Sequence, residues 1–268
     1  ENQKLINLLN MQAGDDEIVG DRIYGHDNPI KGKGPNVNVV PIKKVMKKYF
    51  KDVDGLEPGT YFNYSAMTTN VIINYVIYKT GDDWEKLLHK IFVEDAKVSK
   101  RVYFGKTLDK WGKRKTGNRK SGEYGRYSFY ADRYDYVRIA NLMMNHWQND
   151  TCVGKYLKTM YENRIDRNYS TSKFNGNHRV ALTYGGQFLW DAVGVEDRPI
   201  LMMDGAHGQQ VVIDFDNNKI ITAHSVERRY DYYSLIYLQL NSDTTNKSVE
   251  RPVCRKYINS EEFVLEPC

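Results

Sequence analysis

Apolar positions recur at helical spacing through the first part of the chain, then give way to short apolar runs bounded by turn residues. Lys4 to Met11 carries Leu5, Leu8 and Leu9 on one face and ends at Ala13-Gly14. Val40 to Phe50 reads as a short basic helix, and Leu56-Glu57-Pro58-Gly59-Thr60 as a turn. A longer helix is expected over Ser65 to Tyr78, stopped by Gly81, and Asp82 or Asp83 caps the next, Trp84 to Phe92. Further helices are predicted from Asp132 to His146, with Tyr136, Ile139, Ala140 and Met143 on one face, and from Val153 to Asn163. The period then changes. A strand is expected at Gly185 to Trp190, followed by a hairpin whose arms are Asp204 to Asp214 and Ile220 to His224, and a last helix near Tyr230 to Leu240. Helices first, strands next and a closing helix describe an α+β domain with an antiparallel sheet flanked by helices, together with a mostly helical subdomain. The division expected within one domain is a mainly helical part over about 1–180, the sheet hairpin and closing helix over about 181–245, and a C-terminal tail over 246–268.

The hairpin holds the most informative cluster. Gly205, Ala206 and Gly208 surround His207 where a strand begins, and Gln209 follows. Small residues in a strand mark close approach of another backbone or a ligand. A strand edge cleared in this way can pair with a substrate amide and aim backbone N–H groups at an oxyanion. A hairpin with a glycine-rich lead-in and no further role has the same pattern.

Composition narrows the function classes. The 268 residues are 41% hydrophobic and 27% charged, ordinary for a globular chain. No apolar run approaches the roughly 20 residues that span a bilayer, so no transmembrane segment is expected. The net charge of +5 comes from clustered bases: Lys43, Lys44, Lys47 and Lys48, then a loop holding Lys110, Lys113, Arg114, Lys115, Arg119 and Lys120 around Trp111. Interleaved acids and the lack of any nucleic-acid fold signature argue against a nucleic-acid partner. Cys152, Cys254 and Cys268 lack metal spacing, and Cys254 could close a loop with Cys268 in the tail. His26 with Asp27 is no ligand set by itself, so neither a metal nor a cofactor is implied.

Taken in order, five segments resemble the penicillin-recognising serine hydrolases, nearest the class C β-lactamase and 6-aminohexanoate-dimer hydrolase branch. Ile6 to Gly14 is similar to the family's "hLLxMxSG" helix end, and Glu57 to Ser65 to its "PGxxFxYS" approach to the catalytic tyrosine. Tyr127-Ser128 with Asp132 to Ile139 resembles the "S…RDxARxG" helix. Tyr184 to Trp190 and Gly205 to Gln209 resemble the "YGYxxW…GxxGQ" sheet. The resemblance implies a β-lactamase/transpeptidase-like fold and cleavage of a small-molecule amide or ester through an acyl-enzyme. It places Tyr64 as general base or proton relay and the Gln209 N–H as oxyanion donor. His207, Gly208 and Ser65 fall on the substrate side, His207 either facing substrate or hydrogen-bonding within the cleft. A packed helix-start tyrosine is the alternative for Tyr64.

The chain departs from the pattern at three places. Ala66 stands where the family has asparagine, and Ala206 where its K-T-G triplet has lysine, which removes a point charge for a substrate anion. Literal Lys79-Thr80-Gly81 and Lys115-Thr116-Gly117 triplets do not begin the required strand. The only S-x-x-K, Ser170 to Lys173, comes after Tyr64 in a polar stretch rather than at a helix start. The serine and lysine are therefore expected on an N-terminal segment upstream of residue 1, a probable fragment of the same protein. That part would also supply strands to the sheet. The family's habit implies a periplasmic or extracellular setting. A catalytically inactive relative that binds peptide or glycan fragments is the alternative, and a scaffold binding acidic partners through the basic loop is a third.

Overall fold

The computed structural model describes residues 4–13, 57–60, 62, 64, 66–80, 83–99, 103–106, 127–167, 181–192, 195, 198–205, 208–224, 232–242, 253–257 and 263–267. The chain divides into two compact units, Glu1–Asp132 with Tyr169–Ser172, and Arg133–Asn168 with Lys173–Cys268. The expected helix over Val40 to Phe50 and the basic loop lie outside the described residues.

In the first unit, α1 (Leu5–Leu9) stops at Asn10 and its end docks on the Glu57–Thr60 turn, where the Gly59 N–H donates to Gln12 O at 2.9 Å. Gly59 has φ +90, and a Cβ there would lie 3.1 Å from Asn7 Oδ1, so both backbone and space require glycine. Met11 and Phe62 are buried beside this junction. Helix α2 (Ala66–Thr80) packs on α1, and α3 (Trp84–Leu88) widens into a π-helical turn, His89–Asp95. The wider turn aligns residues five apart, bringing His89 to 3.7 Å from Glu94 and Lys90 to 3.4 Å from Asp95. Strands β1 (Tyr103–Lys106) and β2 (Tyr127–Tyr130) form an antiparallel pair, with Tyr103 opposite Tyr130. Tyr127-Ser128 thus lies in a strand rather than simply leading into the next helix.

The second unit opens with α4 (Arg133–Gln148) and α5 (Cys152–Glu162). Thr151 caps α5 by accepting from the Gly154 N–H at 3.2 Å, satisfying one of the helix's orphan donors. Six antiparallel strands follow in chain order: β3 (Ile165–Asp166), β4 (Ala181–Gly185), β5 (Phe188–Ala192), β6 (Ile200–Gly205), β7 (Gln209–Asp214) and β8 (Lys219–Ala223). Helix α6 (Tyr232–Leu240) and a hairpin of β9 (Val253–Tyr257) and β10 (Phe263–Pro267) complete the unit. The α+β class with an antiparallel sheet is therefore present.

Both faces of the sheet are covered. Trp147 of α4 stacks on Phe215, centroids 4.2 Å apart, while Tyr161 of α5 lies 5.2 Å from the fully buried Trp190. On the other face Asp214 and Lys219, directly paired across β7 and β8, anchor the end of α6. Arg198 bridges Asp214 Oδ2 at 2.9 Å to Leu240 O at 3.1 Å, and Lys219 Nζ donates to Gln239 O at 3.2 Å. This two-sided burial explains why β6 and β7 carry continuous apolar runs instead of alternation.

Two strand expectations change. The segment Gly185 to Trp190, read as one strand, straddles a hairpin turn, with Gly186 at φ +64 and Gln187 at φ +72. Positive φ at both central residues defines the primed turn that suits strand twist. The segment before Asp204 is a full strand, β6, that the apolar pattern alone did not separate from a loop. In the tail, the register sets Glu266 opposite Cys254, and Cys268 lies outside the described residues. Among the described residues no helix is long and apolar enough to cross a membrane.

Candidate functional site

The β6–β7 hairpin carries the glycine cluster. Its register pairs Gly205 with Gln209 and leaves residues 206–208 as the loop. Gly208, at φ +72, takes the left-handed position that closes a three-residue hairpin loop. A Cβ on Gly205 would lie 2.9 Å from Gln209 Cβ. Both glycines thus have a backbone reason, and their effect is to strip side chains from the strand end where Gln209 begins β7. The cluster lies in the loop between two paired strands, not at the free start of a first strand. Ala206 and His207 themselves lie outside the described residues.

Next along β7, Gln210 is buried and its amide donates to the carboxylate of Asp204, the residue directly opposite on β6. Its Oε1 has no partner among the described residues. This pair ties the two arms together one residue inside the loop.

Two groups that the sequence did not single out complete this end of the sheet. His224 follows β8, whose last pair sets Ala223 opposite Gln210. Carried one residue past that last pair, the register would set His224 level with Gln209 and on its face, since cross-strand partners point the same way. That face is covered by α4: the Tyr136 ring lies 5.1 Å from the His224 ring. The Nε2 of His224 is closed off from solvent and has no hydrogen-bond partner among the described residues. Burial, and secondarily the positive charge of Arg133, hold the imidazole below its ordinary pKa and so favour its neutral form. Burial also raises the Tyr136 phenol. Arg133 is exposed, its guanidinium 4.9 Å from the Tyr134 ring centroid, and it donates to the Tyr134 hydroxyl at 3.2 Å. No carboxylate among the described residues pairs with it. The pattern signal for His224 was its place at the end of a hairpin arm, but only the register shows which strand residue it faces.

Tyr64 belongs to the first unit, just ahead of α2, and its side chain is 61% exposed. Among the described residues Tyr64 is thus an exposed rather than a buried tyrosine. Ser65 lies outside the described residues, as does Ser170 to Lys173. The Asp135-to-Arg138 part of the α4 segment forms a 2.7 Å ion pair, with Asp135 fully buried. Among the described residues no group of three or more histidines, cysteines or acids could hold a metal ion, and His26 and Asp27 lie outside them.

No model of a known protein family matches the chain, and no curated protein matches it significantly.

Proposed function

We propose that this protein is a serine hydrolase with a β-lactamase-like fold that cleaves an amide or ester through an acyl-enzyme. The observation that carries the reading is the β6–β7 hairpin, where Gly205 and Gly208 clear the strand end and set Gln209 at the first position of β7. In the proposed reaction a serine Oγ attacks the substrate carbonyl while Tyr64 takes the hydroxyl proton. The negative charge that grows on the carbonyl oxygen is met by the Gln209 N–H. Collapse breaks the bond to the leaving amine or alcohol, which receives the proton from Tyr64. Water then attacks the acyl-enzyme and releases the acid. The resemblance assigns His207, Gly208 and Ser65 to the substrate side.

The serine and its lysine are proposed to reside on polypeptide upstream of residue 1. The sheet edges support this. Among the described residues β3 is a two-residue edge, whereas β8 on the other side is a five-residue strand rich in β-branched residues and without proline. An edge of that kind is suited to pairing with a further strand. A periplasmic or extracellular setting belongs to the same proposal. The second reading, a catalytically inactive binder of peptide or glycan fragments, is favoured by Ala66 and Ala206.

Intact mass of every polypeptide in the native protein, before and after a fluorophosphonate probe, separates the two. The hydrolase reading expects probe mass on a serine outside these residues and its loss in Tyr64→Phe, with the melting temperature unchanged because the ring is exposed. Absence of labelling under any condition selects the binder. Probe mass on Ser170 would overturn the placement of the nucleophile.

A further inference from the structure

We propose that Arg133 binds a carboxylate of the substrate beside the reacting carbonyl, so that the enzyme selects acyl compounds bearing a negative charge. The proposal rests on the hydrolase reading for the identity of that carbonyl, but the anion site itself stands on three observations within the second unit.

The first is an uncommitted cation. Arg133 is exposed and pairs with no carboxylate among the described residues, its described hydrogen bond going to the neutral Tyr134 hydroxyl. A guanidinium offers five donors in a planar fork that matches a carboxylate, and four remain when one is spent on a phenol.

The second is placement. Arg133 opens α4 one turn before Tyr136, whose ring lies 5.1 Å from that of His224, and its positive charge adds to burial in holding the imidazole below its ordinary pKa. Carried one residue past its last pair, the register would set His224 level with Gln209 on the α4 face. Directly opposed cross-strand residues have Cβ atoms about 5 Å apart. The first turn of α4, the imidazole and the proposed oxyanion donor therefore lie toward one end of one sheet face. A ligand carboxylate a few bonds from a carbonyl held at Gln209 is within reach of this cation.

The third is an unsatisfied polar atom at the same spot. A buried ring nitrogen without a partner is rare in a folded protein and marks a place where structure was not optimised for stability alone. Burial disfavours the charged form of the imidazole, so among the described residues it is Arg133 that offers this end of the sheet face a positive charge. Neighbouring Asp204 and Gln210 lie on the opposite face of the sheet and do not compete, since Gln210 alternates with Gln209 along β7.

The test uses the native protein, Arg133→Gln and Arg133→Lys, with two readouts. Binding is followed by NMR of the His224 ring during titration with benzoate and with its neutral analogue benzamide. Saturable benzoate binding is expected in the wild type, weakened about tenfold or more by Arg133→Gln and largely kept by Arg133→Lys, with benzamide alike in all three. Turnover is followed with 4-nitrophenyl hemisuccinate and 4-nitrophenyl acetate, where Arg133→Gln should lower kcat/KM for the acidic ester and spare the neutral one. Benzoate binding that ignores Arg133, or a wild type that does not distinguish benzoate from benzamide, overturns the anion site even if both esters turn over. Arg133-dependent benzoate binding with neither ester turned over supports the site and sinks the hydrolase reading instead.

Discussion

Gly154→Ala tests whether α4 and α5 cross as closely as described. A Cβ on Gly154 would stand 2.7 Å from the His146 carbonyl carbon and 3.2 Å from Trp147 Cα, and closer still to the His146 oxygen. Carbon atoms in contact sit about 3.5–4.0 Å apart, so the two backbones must separate by about 0.8 Å or more. The obstacle is main chain, which cannot swing aside as a side chain would. That displacement acts on Trp147, whose ring stacks on Phe215 at 4.2 Å, and on the His146–Thr151 hydrogen bond at 2.8 Å. Overpacking costs about 1–3 kcal/mol, and a clash with main chain belongs at the upper end, about 3 kcal/mol. Opposing it, alanine is a better helix former than glycine by about 1 kcal/mol. The net expectation is a loss of about 2 kcal/mol, or a fall in Tm of about 4–8 °C at this chain size. Differential scanning calorimetry reads it. The sign carries the test: with no close crossing, propensity alone would stabilise the variant, so an unchanged or higher Tm refutes the packing argument.

Removing the Asp214 carboxylate with Asp214→Ala leaves Arg198 without its ion partner and the Asn217 side chain without an acceptor, and frees the turn and the end of α6 together. Breaking a buried pair costs about 3–5 kcal/mol, read as a lower urea midpoint; a loss under 1 kcal/mol would mean the pair is not buried as described. His224 has a folded-state pKa below its unfolded value, so the native state resists a proton that the unfolded chain accepts. Stability should therefore be full above pH ~6.5 and fall as the pH drops below it. His224→Gln should flatten that part of the urea-midpoint profile, and an unaltered profile would assign the acid sensitivity elsewhere.

The helices were legible because each buries one stripe: Ala140 and Met144 in α4, Leu157 and Met160 in α5. The strands were legible only where one turn signal stood out. Ile200–Met202 shows no alternation because all three side chains are buried inside the sheet, so β6 could not be told from a loop by pattern. Gly185 to Trp190 was read as one strand because the apolar run Phe188–Trp190 outweighed the turn signal of Gly186, which with Gln187 joins β4 to β5. A Cβ on Gly185 would meet Met160 O at 2.5 Å, so the turn is also pressed against α5, a constraint no local pattern carries. At the site, Gly208 and Gln209 were visible as a motif. Arg133 and His224 were not, because a lone base at a helix start and a histidine after a strand become neighbours only through the sheet register and the α4 packing.

If the chain follows the penicillin-recognising pattern, as proposed, that register bears on what stands in for the lysine the pattern places at Ala206. In the penicillin-recognising pattern a lysine on the strand meets the substrate anion, and its loss would leave a negatively charged ligand without a partner. Here a permanent cation stands at the same end of the sheet, supplied by a helix rather than a strand. The substitution is not neutral in geometry. A guanidinium on α4 approaches from the face of the sheet, whereas a lysine at the loop would approach along its end. An anion held by Arg133 would therefore lie toward His224 and Tyr136, whose partly buried rings exclude water and strengthen the charge interaction. If the proposed chemistry operates, its substrates should differ in shape from those that a strand lysine would select, with the acidic group set to the α4 side of the scissile bond.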